Sequence, residues 1–351
     1  MKGTDGIETI EEALRRGAIP IAPERTIETL KELQSHQNLI EIYTCSGEMG
    51  EEEAKAAGFA PIVILSTPQR TTAKHTRTAA RTLAETKVDL LLFAGGDGTA
   101  RDILDAIDSE VPVLGIPAGV KMHSSVFATN PSTAARTTTG YLAGELPVEK
   151  GEVMDVDEKE FKAGRLSAKL YGYMTVPFEP TLMQSVKTAT LQTENEVEQQ
   201  FAVAKYVKEE TKKDELYVLG PGTTVKAIAD ELGTEKTLLG VDVVCNGHLV
   251  AKDVDEQKLL ELIQNRPAKI VVTPIGGQAY IFGRGNQQIS HKVIKQVGKE
   301  NIVVVATRNK LQKLPLKRLL VDTGDKDLDR QLRGYIRVIT DYHEETVMKV
   351  E

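Results

Sequence analysis

The first 145 residues alternate between helical and strand-like patterns of apolar positions. In the stretch 23–34, Ile27, Leu30 and Leu33 recur at the spacing that places them on one face of a helix. By contrast, residues 88–93 form an almost continuous apolar run, which is typical of a strand covered on both faces. The same criteria predict further helices at 7–16, 51–57, 71–86 and 101–108, and strands at 39–43, 61–65 and 112–116. This alternation predicts an α/β fold with a doubly wound, mostly parallel sheet.

The pattern changes near residue 145. The stretches 148–155 and 166–176 carry polar residues between their apolar ones, which is typical of longer and more exposed strands. After a charged helix at 194–213, which we interpret as a solvated face, strands are predicted at 216–219, 238–244, 269–273, 301–306 and 335–340, with helices at 225–232 and 256–265. We therefore expect two domains, 1–145 and 146–351, of which the second is a strand-rich α/β or α+β domain.

The composition excludes several classes of protein. With 40% hydrophobic and 27% charged residues among 351, the chain has the balance of an ordinary globular protein. Its formal net charge of −7 disfavours broad binding to nucleic acid, which usually needs a basic face. Cys45 and Cys245 are too far apart to form a disulfide framework, and no apolar run approaches the roughly 20 residues of a membrane-spanning helix. We expect a soluble cytoplasmic protein that binds neither nucleic acid nor membranes.

The segment Gly95-Gly96-Asp97-Gly98-Thr99 lies between the apolar strand and a helix predicted to begin near Ala100. In open parallel sheets, ligands bind outside the carboxyl ends of the strands, where such a turn lies. Glycines let the backbone approach a phosphate closely, and amides at a helix N-terminus stabilise an anion. The turn therefore predicts a phosphate site, with outward-pointing amides on Gly98, Thr99 and Ala100.

Asp97 needs a different explanation, because a carboxylate repels phosphate. It suits a base beside a hydroxyl group, or a group that orients Mg²⁺ on the phosphates. The alternative is a tight turn with Asp-Gly at its corner, but a helix rather than a strand follows, which disfavours a hairpin.

A second candidate segment follows the strand at 112–116 and should lie beside the first turn. Gly119 would supply an open turn, Lys121 a point charge for phosphate, and Ser124 a hydroxyl at a helix start. His123 is either part of this site or a bystander. The alternative for the whole segment is an ordinary loop in which Lys121 is solvated.

Two later segments could also contact phosphate. Gly220, Gly222, Thr223 and Thr224 link a predicted strand to a predicted helix, where they would bind phosphate or ribose, cap the helix, or do both. Arg284 lies in a glycine-rich run and either binds phosphate through its planar guanidinium or belongs to a simple turn.

No metal site is predicted from the remaining candidates. The six histidines have no zinc-like spacing, so we expect no structural metal. Four aspartates lie around Gly324, and we interpret them as a polar turn before a capped helix rather than as a cation site.

The strand, the GGDGT turn and the following helix resemble the NAD kinase and diacylglycerol-kinase superfamily, although phosphofructokinases carry a related turn. Three further segments extend the resemblance over most of the chain: GIPAGVKMHSSVFATNP (115–131), LGPGTT (219–224) and TPIGGQAYIFGRGNQQIS (273–290). Together they look like the ATP-NAD kinase-like group, which includes proteins related to the acetoin-catabolism X protein.

This resemblance implies a nucleotide-binding domain at 1–145 and a second domain at 146–351 that completes the active-site cleft. It also implies a kinase that uses ATP, or a related donor, with Mg²⁺ and phosphorylates a hydroxyl of a small acceptor, NAD being the first expectation. In that reaction Asp97 would activate the acceptor hydroxyl, and the amides of the turn would hold nucleotide phosphate. A homo-oligomer is expected on the same ground.

Two features depart from the family pattern. The sequence goes directly into a predicted helix, whereas members of the group usually begin with a strand and a glycine-rich Asn-Pro turn; the first strand of the domain is therefore either missing from the sequence or not needed. The Asn-Glu/Asp pair that holds the dinucleotide in NAD kinases also has no match here. The alternatives are consequently a kinase of a non-nucleotide alcohol, diol or lipid, and a non-catalytic nucleotide-binding regulatory protein.

Overall fold

The computed structural model describes residues 12–15, 17–107, 111–119, 122–156, 168–179, 183, 194–275, 278–314 and 317–351. Contacts divide the chain into two compact units, Met1–Val186 and Lys187–Glu351, and each is described by itself. Most of the helix expected at 7–16 lies outside the described residues.

The first unit alternates helices with short parallel strands. Its described elements are α1 (Ala22–Leu33), β1 (Tyr43–Cys45), α2 (Glu51–Ala56), β2 (Ile62–Leu65), α3 (Ala73–Glu85), β3 (Leu91–Gly95), α4 (Asp97–Leu104), β4 (Val113–Pro117), α5 (Pro131–Leu142), β5 (Val148–Val156) and β6 (Ala168–Pro177). β1 pairs with β2 and β3 with β4, both in parallel, while β5 and β6 form an antiparallel hairpin. Parallel pairing requires crossover connections, and here helices supply them.

The core of this unit joins the β3–β4 pair to the β5–β6 hairpin. Val153 and Met174 of the hairpin belong to the same buried cluster as Leu91 of β3 and Val113 of β4. Phe127 lies against Gly115, where a Cβ atom would come within 2.2 Å of its ring. The boundary expected near residue 145 therefore falls inside the first compact unit, and the domain assignment stays a prediction.

One expectation for the first unit was wrong, and one helix was missed. The strand expected at 39–43 is replaced by a 3₁₀ helix at Gln34–Leu39 and by β1, which begins only at Tyr43. Leu39 is 84% exposed, so its apolar side chain does not mark a buried strand position. Helix α5 was not predicted, and its threonines have low helix propensity. It is nevertheless well capped, since Asn130 accepts a hydrogen bond from the Thr133 amide.

The described residues of the second unit form one nine-stranded mixed sheet. Its elements are α6 (Glu194–Glu209), β7 (Leu216–Leu219), α7 (Thr223–Glu231), β8 (Asp242–Cys245), β9 (His248–Ala251), α8 (Glu256–Ile263), β10 (Ala268–Val272), β11 (Tyr280–Phe282), α9 (His291–Val297), β12 (Ile302–Val305), α10 (Arg308–Gln312), β13 (Arg318–Val321), α11 (Lys326–Leu332), β14 (Gly334–Asp341) and β15 (Glu344–Val350). The strand order is β11-β13-β15-β14-β12-β10-β7-β8-β9, and the neighbours β14, β12, β10 and β7 run parallel.

Helices cover both faces of the central strands. Along β7, Leu216 and Val218 belong to one buried cluster and Tyr217 and Leu219 to another, as alternation across a sheet requires. Helices α8 and α9 contribute to the first cluster, and α6 and α7 contribute to the second. One face of α6 is therefore buried, so the interpretation of this helix as only a solvated face was wrong.

The α/β fold class is confirmed. Parallel strand pairs and crossover helices occur in the first unit, and the larger, strand-rich sheet lies in the second. None of the helices within the described residues is long and apolar enough to cross a membrane.

Candidate functional site

Two glycine-containing turns meet at one edge of the β3–β4 pair. The strands are parallel, with Gly95 opposite Pro117, so their carboxyl ends lie side by side. The carbonyl oxygen of Gly95 accepts hydrogen bonds from the amides of Ala118 and Gly119, at 3.0 and 3.1 Å. A Cβ atom on Gly119 would lie 3.1 Å from the Cα of Gly96, so the absence of a side chain at Gly119 allows the two backbones to approach closely. The two segments that the sequence predicts to be neighbours are brought together.

Helix α4 begins at Asp97, earlier than the sequence indicated, with Gly96 as its N-cap residue. The Ala100 amide donates to the carbonyl oxygen of Gly96 at 3.1 Å, so the expectation that this amide points outward was wrong. Gly98 and Thr99 lie in the first turn, where amides have no acceptor within their own helix. These two amides are among those that α4 offers to an anion.

The carboxylate of Asp97 is held by the loop that follows β4. Its Oδ2 accepts the His123 amide at 2.8 Å, and its Oδ1 accepts the Ser124 amide at 3.0 Å. The Ser124 hydroxyl donates to the same Oδ1 at 2.6 Å. Three donors thus fix the side chain of a residue that opens a helix, and all three come from a segment more than twenty residues away.

Ser124 and its neighbour Ser125 connect this loop to β5. The Ser124 hydroxyl oxygen accepts the Met154 amide at 2.9 Å, and the Ser125 hydroxyl oxygen accepts the Glu152 amide at 2.8 Å. Ser124 was expected to provide a hydroxyl at a helix start, which was wrong, since its hydroxyl donates to Asp97 instead. His123 enters the site through its backbone, and its side chain is buried.

Burial raises the pKa of Asp97 above its ordinary value of 3.8, and this is the largest influence on it. The hydrogen bonds from Ser124 and His123 and the positive charge of Arg101 act in the opposite direction. They stabilise the ionised form, and they offset part of the cost of taking a carboxylate out of water. A partly buried carboxylate with a raised pKa is a stronger base than an exposed aspartate.

The two oxygens of Asp97 differ in their remaining capacity. An ionised carboxylate offers about four lone-pair positions. Among the contacts of the described residues, Oδ1 receives two donors and Oδ2 receives one. Oδ2 is therefore the oxygen better able to accept a further proton or to contact a cation.

The remaining predicted residues near this turn are only partly placed. Thr99 covers Gly95, where a Cβ atom would lie 2.4 Å from the threonine hydroxyl oxygen. Lys121 lies outside the described residues, so a phosphate contact by its ammonium group stays a prediction.

The predicted segment 220–224 lies in the second unit, at the carboxyl end of β7. Gly222 precedes α7 with a φ of 121°, a left-handed value that favours glycine, and its amide donates to the Leu238 carbonyl oxygen at 3.0 Å. Thr223 opens the helix, and its hydroxyl oxygen accepts the Gln200 side-chain amide at 3.1 Å. Thr224 is fully buried, and its hydroxyl makes no hydrogen bond within the described structure. Contacts of Gly220, Gly222, Thr223 and Thr224 with nucleotide stay predictions.

The side chain of Arg284 is buried and contacts other residues of the second unit. Its guanidinium forms an ion pair with Asp322 at 2.8 Å, donates to the Gly283 carbonyl oxygen at 3.2 Å and lies over the Tyr280 ring at 5.0 Å from its centre. Arg284 is only 2% exposed. This geometry favours the turn interpretation over the phosphate contact.

Within the described ranges, no three His, Cys, Asp or Glu side chains are grouped so that they could hold a metal ion. In the predicted polar turn, Asp325 caps α11 by accepting the Leu328 amide at 2.8 Å. The expectation that the protein has no structural metal stays a prediction.

Comparison with known families agrees with this arrangement. Residues 14–146 match the family model of the ATP-NAD kinase N-terminal domain, and residues 212–350 match that of the ATP-NAD kinase C-terminal domain. The chain belongs to the ATP-NAD kinase family. The N-terminal match contains Asp97 and the loop that holds it, and the C-terminal match contains segment 220–224 and Arg284. Comparisons with curated proteins and with solved structures returned no match.

Sequence reasoning missed how the carboxylate of this ATP-NAD kinase family member is held. The motif identified Asp97, but the partners of its carboxylate are two backbone amides and a hydroxyl. A usable signal was present, since Ser124 and Ser125 follow a strand predicted to end beside the first turn.

Proposed function

We propose that this protein is an ATP-dependent kinase that transfers the γ-phosphoryl group to a hydroxyl of a small acceptor, with NAD as the acceptor and NADP as the product. The observation that carries the proposal is the carboxylate of Asp97, which is held by three donors at the first turn of a helix. Membership of the ATP-NAD kinase family supports the reaction class.

The reaction assigns separate tasks to this turn. A bond forms between the acceptor oxygen and the γ-phosphorus, while the bond from that phosphorus to the β,γ-bridging oxygen breaks and leaves ADP. Asp97 Oδ2 takes the proton from the acceptor hydroxyl, as its free lone-pair capacity and raised pKa favour. The amides of Gly98 and Thr99 offer hydrogen bonds to phosphate at the helix N-terminus.

Mg²⁺ is expected as a companion of the nucleotide. Mg²⁺ prefers oxygen ligands and usually binds through one or two carboxylates together with substrate phosphates. Oδ2 of Asp97 is assigned to the acceptor proton, so the phosphate oxygens of the nucleotide would hold the ion, and the described residues add no group of three metal-ligating side chains. When bound, the ion neutralises charge on the phosphate oxygens.

The test of the base assignment is Asp97→Asn. The amide is close in shape to the carboxylate but cannot take the proton, so turnover should fall by about 10² or more, the usual weight of general-base catalysis. Near-normal turnover in this variant would remove Asp97 from the mechanism.

Asp105→Asn is the matched control. Asp105 is exposed at the end of α4 and accepts a hydrogen bond from the Tyr171 hydroxyl at 2.7 Å, which an asparagine oxygen can also accept. This control should keep wild-type turnover, and unfolding curves of both variants should show that each retains its fold.

The choice of acceptor needs a separate experiment. ADP release should be measured with NAD, NADH, diols and polyols, each in the presence of Mg²⁺ and ATP. Turnover that depends on NAD supports the proposal, whereas a strong signal with only a non-nucleotide alcohol would favour the alternative kinase. A homo-oligomer and a cytoplasmic location stay predictions.

A further inference from the structure

The loop that follows β4 places two serines side by side, and only one of them contacts Asp97. Ser124 is fully buried, and its hydroxyl makes two hydrogen bonds. The hydroxyl oxygen accepts from the Met154 amide at 2.9 Å, and the hydroxyl proton is donated to Asp97 Oδ1 at 2.6 Å. A hydroxyl has one proton to donate, and here that proton is donated to the carboxylate, while the Met154 amide occupies one of the oxygen lone pairs.

We propose that Ser124 is a positioning residue for the reaction, which fixes Asp97 through Oδ1 and leaves Oδ2 to receive the acceptor proton. This inference rests on the proposed function. It deepens that function by naming the group that orients the base and the oxygen that reacts.

The two carboxylate oxygens of Asp97 have different numbers of hydrogen-bond donors. Oδ1 receives the amide and the hydroxyl of Ser124, and Oδ2 receives only the His123 amide. A short bond from a hydroxyl to an ionised carboxylate is among the stronger hydrogen bonds in proteins. It holds Oδ1 against rotation about the terminal torsion of the side chain, which is otherwise broad.

The chain from β5 through Ser124 to Asp97 makes this arrangement rigid. Met154 lies on β5, which is paired with β6 over most of its length. The adjacent Ser125 also bonds to β5, through the Glu152 backbone in both directions. The loop is therefore attached to a hairpin on one side and to the base on the other.

Several charged or titratable groups surround the carboxylate. Arg101 on α4 lowers the pKa of Asp97, as do the hydrogen bonds from Ser124 and His123. From the loop, His123 contributes its backbone amide, and from β5, Glu152 meets the same loop through its backbone. Among these groups, the Ser124 hydroxyl can be removed without changing the charge of the site.

The test compares Ser124→Ala with Ser125→Ala. Each variant removes one hydroxyl that accepts a β5 amide, but only Ser124→Ala removes a donor to Asp97. We expect kcat to fall about tenfold in Ser124→Ala, the weight of one hydrogen bond to a charged group. The acid limb of its pH profile should move to higher pH, because the lost donor stabilised the ionised carboxylate. Ser125→Ala should keep the wild-type profile.

A second measurement does not depend on turnover. Carboxyl ¹³C resonances of aspartate-labelled protein would follow the titration of Asp97, with Asp97→Asn providing the assignment. The titration should move to higher pH in Ser124→Ala and not in Ser125→Ala. In the wild-type protein, the NMR resonance of the Ser124 hydroxyl proton should shift with the titration of Asp97. This measurement needs no variant, so it tests the inference even if Ser124→Ala does not fold.

The outcomes separate this inference from the function on which it rests. If both serine variants share one pH profile and one Asp97 titration, the positioning role of Ser124 is overturned. If Asp97→Asn keeps its turnover, the assignment of Asp97 as the catalytic base in the proposed function is wrong. The carboxyl titration then still decides whether Ser124 holds Asp97.

Discussion

Each unit contains a strand, a glycine turn and a helix in succession, but the two turns carry different chemistry. In the first unit β3 leads through Gly96 to Asp97, and in the second β7 leads through Gly222 to Thr223. A carboxylate opens one helix, whereas a neutral hydroxyl opens the other, and α7 has no acidic residue in its first turn. A helix N-terminus favours negative charge, so the first turn already holds an anion of its own and the second does not.

The difference shows that the backbone motif alone does not define a site. Around Asp97, a neighbouring loop supplies three donors that hold the carboxylate, which we propose acts in proton transfer. Around Thr223, the side-chain partner among the described residues is Gln200 of α6, and this hydrogen bond connects two helices of the same unit. We expect the first turn to serve chemistry, and the second to serve the fold and at most a phosphate contact.

The largest effect on stability is expected at Arg284 in the second unit. Arg284→Met leaves Asp322 buried without its guanidinium partner, and should reduce the free energy of unfolding by about 3 kcal/mol or more. Denaturant unfolding checks this value. Adding Asp322→Asn in a double variant should restore part of the loss, because it removes the charge that was left unpaired.

The same variant separates a structural role from a phosphate contact. If Arg284 served nucleotide phosphate, Arg284→Met would raise the KM for ATP and leave the unfolding curve almost unchanged. That result would contradict the assignment of this arginine to the fold.

A smaller effect on the free energy of unfolding is expected from alanine substitutions at the glycines that precede α4 and α7. Gly222→Ala places a Cβ at a φ of 121° and 2.7 Å from a methyl carbon of Thr273, so it should lower the free energy of unfolding by about 2 kcal/mol. Gly96 has a φ of −127°, and a Cβ there would lie 3.5 Å from the Gly119 Cα, an ordinary contact. Gly96→Ala should cost less than about 1 kcal/mol. Equal losses in denaturant unfolding would show that the two turns do not differ in backbone strain.

The subtlest effect is a pH dependence that only the first turn should show. Burial raises the pKa of Asp97 in the folded state above 3.8, so the protonated form is favoured by folding. Its contribution to stability is complete below pH 3.8 and is lost as the pH rises through the folded pKa. Activity should rise over that same interval, because only the ionised carboxylate accepts a proton.

Measurements of turnover and of denaturant unfolding across this pH interval check the expected rise in activity and the expected loss of stability. Asp97→Asn should reduce the change in stability, since asparagine does not titrate there; Glu53 and Asp329, whose pKa values burial also raises, should supply the remaining change. An unchanged stability profile in that variant would mean that another group is responsible.

The sequence predicted the elements that have strong periodicity and clear boundaries. The strand at 216–219 agrees with β7 without any shift, and α1 lies within one residue of its predicted ends. Helix α5 was missed although Asn130 and Pro131 form a recognisable N-cap and first helical position. Its threonines have low helix propensity, and tertiary packing of Ala134 and Ala135 stabilises the helix.

The candidate site was predicted in its location but not in its contacts. Asp97 and the adjacent loop follow from the position of two strand ends. The hydrogen bonds from the His123 and Ser124 amides to Asp97 do not follow, because contacts through backbone amides leave no residue pattern in the sequence; only the Ser124 hydroxyl left a signal there. Likewise, the pairing of Arg284 with Asp322 joins segments far apart in the chain, which spacing alone cannot show.

Following the γ-phosphate itself shows whether the turn at Asp97 supports phosphoryl transfer. The full chain would be incubated with Mg²⁺, γ-labelled ATP and NAD, and the products separated. The account predicts labelled NADP, formed by the wild type and reduced about 10² or more in Asp97→Asn. Saturable binding of ATP with no label on NAD or on any alcohol offered in its place would contradict it.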